Sequence, residues 1–188
     1  MKIEFTENLK GLATTAEGIS ESVNLSDLRI SLEDSTCSLM GAMAKIKPGS
    51  LQIGLKTYLV NSGHFQYFVV DQNTYKMFYR LFLTGTSSDN KDLKYQFKGE
   101  KILKPAKTRL FNIFAIWPQT TTVYFKLTII NSEIVVAQGV LKIGLFSFLK
   151  QTLSFCVEES KSNLDTIFAT GRFLKKFSVS LLRIYFLK

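Results

Sequence analysis

The sequence feature that most constrains the fold is the repeated alternation of apolar and polar residues in short segments. A period of two places successive side chains on opposite faces of a β-strand, whereas a helix requires a period near 3.6. The clearest such segment is Thr74–Thr84, in which alternate residues from Tyr75 to Leu83 share one face. The opposite face begins at Lys76 and also carries two phenylalanines. The pattern predicts a strand with large apolar groups on both faces, one facing the interior of the fold and the other meeting helices.

Comparable segments occur along the first three quarters of the chain, and short polar turns such as Lys47–Ser50 and Asn131–Ser132 join them. About nine short strands connected in this way favour one antiparallel sandwich or barrel. Residues 13–22 are expected to form a loop, and residues 1–188 a single domain. The other predicted strands lie around Leu28–Glu33, Leu51–Leu55 and Phe65–Val69, and at 93–98, 108–116, 121–130 and 134–142.

The period changes after residue 143, where helices are predicted at about 146–156 and 163–186. In the second helix, spacings of seven and four bring Asp165, Arg172, Lys176 and Arg183 into one polar stripe. Burial against the sheet is expected for the opposite arc, with contact with the acyl boundary of a membrane as the alternative. A strand at 178–186 is also possible, because residues alternate there as well. The arc consists of Leu164, Ile167, Phe168, Leu174, Phe177, Leu181, Tyr185 and Phe186.

Charge is unevenly distributed along the chain. Residues 1–100 are balanced, whereas residues 101–188 carry the whole net charge of +9. This asymmetry favours an anionic partner, such as an anionic membrane surface or an acidic protein, although a basic soluble protein is an equally simple interpretation. Nucleic acid is the less expected partner, because no recognition motif accompanies the charge.

Cellular location is predicted from the cysteines and the start of the chain. Cys37 and Cys156 are isolated thiols without C-x-x-C spacing, and no apolar run follows the basic start. We therefore expect buried, reduced cysteines and a cytoplasmic protein. The longest uncharged stretch, Leu110–Phe125, is too short and too polar to span a bilayer, so membrane contact would be peripheral.

Four segments resemble part of a known protein class. They are Phe5–Gly11 (FTENLKG), Tyr79–Leu83 (YRLFL), Trp117–Tyr124 (WPQTTTVY) and Gln138–Leu141 (QGVL). Their order and spacing resemble the accessory β-rich region of large cholesterol-oxidase-like proteins of the glucose–methanol–choline oxidoreductase class. Within that class the same stretches are F-T-E-x-M-x-G, Y-R-L-F-F, W-x-D-T-T-T-L-Y and A-G-I-L.

The resemblance implies a lipid context and a fold, but not a reaction. Leu141–Leu153 and Ala169–Phe177 are similar to the stretches in which the family passes from its last strand into helices. Gln119 stands where the related proteins have an acid, and the chain lacks the G-x-G-x-x-G fingerprint, so flavin binding is not implied and no cofactor is expected. The predicted fold is mostly β: an antiparallel barrel of calycin or allene-oxide-cyclase-like character with one or two C-terminal helices.

Candidate site residues follow from this fold. A barrel of about eight strands can fill with side chains or hold one small ligand. Alternation in the WPQTTTVY segment would place Thr120 and Thr122 on one side of a strand and Thr121 on the other. In the FTE segment, Phe5 is expected in the core, while Glu7 is expected to hydrogen-bond nearby backbone. The candidate ligand-binding residues are Tyr67, Tyr75, Tyr79, Thr120, Thr122 and Tyr124.

Other polar residues suggest no catalytic or metal site. His64 is the only histidine and has no Ser or Cys partner at a recognisable spacing, and one His with two distant Cys cannot complete a tetrahedral zinc site. Basic residues in an expected exposed loop around Pro105 and along the second helix are candidates for contact with anions or a membrane surface, although such residues are often simply solvated. They are Lys101, Lys104, Lys107, Arg109, Arg172, Lys176 and Arg183.

Three functions are consistent with these features. The first is a non-catalytic module that binds a hydrophobic ligand such as a sterol, fatty acid or isoprenoid near an anionic membrane. A second is a small lipid cyclase or isomerase that acts by shaping its substrate, and a third is a filled barrel that docks an oxidoreductase or hydrolase partner. A cavity of a few hundred Å³ would favour the first two over the third, and a buried ionisable group inside it would favour the enzyme.

Overall fold

The computed structural model describes residues 2–33, 38–72, 74–86, 92–104, 113–130, 132, 134–158 and 163–186. Ten strands and three helices follow one another in this part of the chain. The strands are β1 (Lys2–Thr15), β2 (Ser20–Glu33), β3 (Met43–Ile46), β4 (Gly49–Ile53), β5 (Lys56–Asp71), β6 (Thr74–Thr86), β7 (Asp92–Leu103), β8 (Thr122–Ile129), β9 (Val135–Lys142) and β10 (Cys156–Glu158). The helices are α1 (Ile113–Thr121), α2 (Leu145–Leu153) and α3 (Asn163–Phe186).

Nine of the strands close into a ring, and every described pairing is antiparallel. β1 pairs with β2 on one side and with β9 on the other, and β9 continues through β8, β7 and β6 to β5. β5 in turn pairs with both β3 and β4, which lie end to end along β2 and complete the circle. β10 adds to β1 over Lys2–Glu4. The predicted mostly-β antiparallel barrel with C-terminal helices is confirmed.

The apolar faces of the strands point into the barrel. On β6, Met77, Tyr79, Leu81 and Leu83 are buried, as the alternation predicted. Their partners on β5 and β7 also alternate; Phe65, for example, lies opposite Tyr79. The other face of β6 was expected to meet helices, but Phe82 on that face is 37% exposed on the outside of the barrel.

The loop predicted for residues 13–22 is wrong. Both ends of that segment belong to strands, because β1 extends to Thr15 and β2 begins at Ser20, leaving a short turn that contains Gly18 at a positive φ. The polar residues that suggested a loop pair with β2 and β9 instead, in register up to Thr15. Pairing on both sides therefore decided the structure here, rather than local propensity.

The strand predicted at 108–116 is also wrong where the structure describes it, because α1 begins at Ile113. In its last turn, the hydroxyls of Thr120 and Thr121 donate hydrogen bonds to the carbonyl of Trp117. Such bonds satisfy threonine in a helix despite its preference for strands. The predicted strand at 121–130 is confirmed from Thr122 onward, so Thr120 and Thr122 do not share a strand face.

The C-terminal helices are confirmed, with α2 slightly shorter than predicted and α3 spanning the predicted 163–186, so the alternative strand at 178–186 is wrong. Ala169, Phe173, Ile184 and Tyr185 form the buried face of α3. Burial of the whole predicted arc is wrong, since Phe168 is 65% exposed. No helix in the described part of the chain is both long enough and apolar enough to cross a membrane.

Candidate functional site: a polar cluster inside an apolar cavity

A cavity of about 310 Å³ lies between the barrel interior and the three helices. Its barrel wall includes Phe5 from β1, Phe65 and Tyr67 from β5, and Met77 and Tyr79 from β6. Almost all of this wall is carbon. The cavity exists because inward-facing side chains from facing strands do not fill the space beneath the helices.

The helices supply the remaining walls. Trp117 of α1 meets Phe148 of α2 edge-on, with ring centroids 5.0 Å apart. Phe173 of α3 packs on Phe155, which follows α2, with centroids 5.2 Å apart, and Phe155 stacks on Phe5 of β1 at 5.0 Å. Aromatic pairs of this kind contribute about 0.5–1.5 kcal/mol each beyond the area they bury. The first pair joins α1 to α2, and the second group of rings joins α3 to β1 of the barrel.

A buried polar cluster interrupts the apolar wall. The Tyr79 hydroxyl donates a hydrogen bond of 2.8 Å to Oε2 of Glu7, and the Lys101 ammonium donates one of 3.1 Å to Oε1. The side chains of Lys101 and Glu7 are only 6% and 2% exposed. The same ammonium lies 5.3 Å from the ring centroid of Tyr79. Both carboxylate oxygens are therefore engaged, and the charges of the pair cancel.

The strands bring these three residues together. Glu7 follows Phe5 by two positions, so the alternation that buries Phe5 also turns Glu7 inward. Tyr79 projects inward from β6, and Lys101 on β7 lies opposite Met77. Each charge of this buried pair depends on the other. Removing one partner of such a pair commonly lowers protein stability by about 3–5 kcal/mol, because the remaining charge is uncompensated.

The hydroxyl of Tyr67 is buried and has no hydrogen-bond partner. Burial, and secondarily the nearby charge of Glu7, raise the pKa of Tyr67 well above its usual value. The pKa of Tyr79 is raised by the same two causes and by its hydrogen bond to Glu7. Both phenols are therefore neutral donors at physiological pH. Gln151 of α2 lines the cavity as well, and its side-chain oxygen is also buried without a partner.

The structure brings together three of the six candidate ligand-binding residues. Tyr67, Tyr79 and Thr120 line the cavity. The other three, Tyr75, Thr122 and Tyr124, do not line it, and Tyr124 is 50% exposed on the outer face of β8. Three of the four segments singled out in the sequence contribute to the cavity wall, namely Phe5–Gly11, Tyr79–Leu83 and Trp117–Tyr124.

The candidate anion-contacting residues divide into two groups. Lys101 was expected in an exposed loop, and that prediction is wrong because β7 continues to Leu103 and buries it. Lys104 directly follows β7, and its backbone amide donates to Gln119. Lys107 and Arg109 lie outside the described residues. On α3, Arg172, Lys176 and Arg183 share a shallow surface depression.

Glu7 was expected to bond nearby backbone, and that prediction is wrong because its carboxylate meets two distant side chains. Its position between inward-facing Phe5 and Leu9 is the sequence signal that places its side chain inside the barrel.

Cys156 was expected to be buried but is exposed in β10, and Cys37 lies outside the described residues. In the described ranges, no three His, Cys, Asp or Glu side chains are grouped as a metal site.

Comparison with protein-family models, with curated proteins and with solved structures returns no significant match. Fold and cavity thus define the class: a closed antiparallel β-barrel with a helix-covered apolar cavity and a buried polar cluster. Chemically, such a site can hold a mostly hydrocarbon molecule and donate hydrogen bonds to an oxygen on it.

Proposed function

We propose that this protein binds one hydrophobic small molecule in the cavity between barrel and helices. Binding would rest mainly on the removal of hydrocarbon from water, at about 25 cal/mol per Å². The volume of about 310 Å³ falls at the lower end of the range typical of small-molecule sites, which favours a compact ligand. A filled barrel that serves only to dock a partner protein is less consistent with this open space.

The observation that carries the proposal is the unpartnered hydroxyl of Tyr67 in a largely apolar wall, beside the buried polar cluster. A buried polar group without a partner costs about 1–3 kcal/mol. An oxygen atom on the ligand would accept a hydrogen bond from Tyr67 and remove this cost. The ligand would therefore lie with its oxygen toward Tyr67 and its hydrocarbon against the phenylalanines.

Charge balance narrows the ligand class. Glu7 and Lys101 already neutralise each other, so a neutral alcohol or carbonyl leaves the buried site neutral. A carboxylate would bring a second negative charge close to Glu7 in a region of low dielectric, which is unfavourable. We therefore favour a compact isoprenoid alcohol or ketone over a fatty acid.

A second candidate function is a lipid isomerase or cyclase, and one specific observation favours it: ionisable residues lie buried in the cavity wall. Glu7 is positioned to accept a proton, and Tyr79 and Lys101 carry protons to donate. Moving a double bond requires only that a proton leave one carbon and return to another, with no co-reactant. Buried ionisable groups in a cavity are candidate acid–base residues, although structural pairs also occur.

Native mass spectrometry of the purified protein tests binding directly. The expected result is a co-purified neutral lipid at up to one molecule per chain, lost on denaturation. A panel of matched alcohols and carboxylic acids, added to the stripped protein, should show tighter binding of the alcohols. Failure of every neutral lipid to bind would overturn the proposal.

The fate of the bound lipid distinguishes an enzyme from a non-catalytic binding protein. Deuterium from heavy water should enter a recovered lipid only if protons are exchanged at carbon. Glu7→Gln combined with Lys101→Met, which leaves no uncompensated buried charge, should abolish that exchange while the lipid is still bound. A lipid recovered unchanged and without deuterium would exclude the enzyme and leave ligand binding as the function.

A further inference from the structure

Basic residues form one straight row across the outer wall of the barrel. Lys45 on β3 pairs with His64 on β5, His64 with Arg80 on β6, Arg80 with Lys98 on β7, and Lys98 with Lys126 on β8. We call these five residues the basic row. Since neighbouring strands lie about 4.8 Å apart, the row spans about 19 Å. Their immediate chain neighbours face the barrel interior, so the row faces outward.

The basic row is unfavourable for folding. Like charges directly opposite one another on paired strands destabilise a sheet. Among the described residues, no acidic side chain forms an ion pair with Arg80, Lys98 or Lys126, whereas nearby Lys76 binds Asp71 at 2.8 Å and Glu100 at 3.5 Å. Arg80, Lys98 and Lys126 thus project side by side from three adjacent strands without an ion-pair partner in the described part of the chain. Folding alone gives no reason for this arrangement.

Two surface depressions flank the row and share Lys98 and Lys126. The larger, of about 660 Å³, contains Phe78 and Tyr124, and the smaller, of about 310 Å³, contains Phe82. These aromatic residues lie on the outer faces of β6 and β8, where they do not contribute to the barrel core. The basic side chains therefore form a ridge with aromatic hollows on both sides.

We propose that this outer wall binds single-stranded nucleic acid. Phosphates would follow the basic row, and unstacked bases would enter the hollows against Phe78, Tyr124 and Phe82. A charged track beside aromatic side chains is the usual construction of surfaces that bind single strands without sequence preference. Bases have flat faces that fill such hollows, whereas a planar bilayer would contact only the ridge.

From the sequence, nucleic acid is the less expected partner, because no recognition motif is present. The basic row produces no such motif, because its residues are not arranged in a linear pattern. Its members come from five different strands and meet only through the register of the sheet. The surface shares none of its charged residues with the Glu7–Lys101 cluster. The two proposals can therefore succeed or fail independently.

Fluorescence anisotropy with a labelled oligothymidylate of about 12 nucleotides tests the proposal. Each phosphate neutralised on a single strand contributes about −0.7 to the slope of log affinity against log salt concentration. Four basic residues predict a slope near −3 for the native protein. A variant carrying Arg80→Gln, Lys98→Gln and Lys126→Gln should bind about 50-fold more weakly at about 0.15 M salt, with a slope near −1.

A matched variant controls for net charge. Lys10→Gln, Lys56→Gln and Lys175→Gln remove the same three charges from exposed positions outside the row. This variant should keep the native slope and bind within a few-fold of the native protein. Glu100→Gln, which removes the acid lining the larger hollow, should strengthen binding about 4-fold.

Several results would overturn the proposal. One is equal loss of affinity in the row variant and the charge-matched control, which would indicate non-specific attraction. Another is row-dependent binding to phosphatidylserine vesicles without binding to the oligonucleotide, which would indicate a membrane surface. Thermal unfolding checks that the row variant is folded. Because opposed like charges are removed, this variant should be at least as stable as the native protein.

Discussion

Tyr79 and Glu7 are joined by a buried hydrogen bond of 2.8 Å between strands far apart in the sequence. The Lys101 ammonium completes the cluster by donating a hydrogen bond to the other carboxylate oxygen of Glu7. Each of the three groups would be a buried liability on its own, since neither a charge nor a phenol hydroxyl is stable in hydrocarbon without a partner. Their stability contribution must therefore be strongly interdependent.

Loss of one charge from this cluster should be much more harmful than loss of both. Lys101→Met leaves the Glu7 charge uncompensated and should lower the free energy of unfolding by about 3–5 kcal/mol. Glu7→Gln combined with Lys101→Met keeps an acceptor for Tyr79 without any buried charge and should recover most of that loss. Urea unfolding of the single and double variants measures the coupling; simple additivity would contradict the arrangement.

Tyr67→Phe should change stability and ligand affinity in opposite directions. The ligand-free protein should become more stable by about 1 kcal/mol, because an unsatisfied hydroxyl is removed. Affinity for a neutral alcohol should fall about 3- to 10-fold, corresponding to one lost hydrogen bond. Thermal unfolding and lipid titration measure the two effects.

Tyr185→Phe is the control for that substitution. The Tyr185 hydroxyl donates a hydrogen bond of 2.8 Å to Gln119, so its removal should destabilise the protein by about 1 kcal/mol. Tyr185 does not line the cavity, and ligand affinity should be unchanged. A Tyr67→Phe variant that behaves like this control would argue against a ligand contact at Tyr67.

Blocking the cavity from α3 should abolish lipid binding. Leu174 lines the cavity and is 38% exposed, so Leu174→Trp can extend into the space without disturbing the core. Val179 is 39% exposed on the same helix but does not line the cavity, and Val179→Trp is its matched control. Native mass spectrometry should find lipid only on the native protein and the control. Equal occupancy of both variants would place the ligand elsewhere.

Alkaline pH should destabilise the barrel through its buried phenols. Burial, together with nearby Tyr95 and Glu21, raises the pKa of Tyr58 from 10.0 to about 12. The folded protein then holds this proton more tightly than the unfolded chain, so the stabilisation is complete below pH 10 and is lost as pH rises toward 12. Urea unfolding across this range should show a falling free energy, with a shallower fall in Tyr58→Phe. An unchanged slope would contradict the burial of this hydroxyl.

Local periodicity predicted β6 and α3 well, because alternation and helical spacing are properties of a single segment. It failed at α1, where threonines that favour strands are satisfied by backbone carbonyls within a helix. It also failed at Phe168, because the width of an apolar arc does not reveal how much of it the barrel covers. What packs against a helix is decided by elements distant in the sequence.

The polar cluster could be predicted only in part. Alternation around Glu7 places its side chain inside the barrel, but nothing in the sequence pairs it with Tyr79 and Lys101. That meeting depends on the register of β6 and β7 and on the bulge between Glu7 and Leu9 in β1. The same dependence on register concealed the basic row.

Closure of the barrel joins Lys10–Thr15 of β1 to Ala137–Lys142 of β9. During synthesis, β1 cannot pair with β9 until most of the chain has left the ribosome. Contacts this distant in sequence slow folding and leave apolar strand surfaces open meanwhile. Newly made chains should therefore depend on chaperone protection until the seam between β1 and β9 closes.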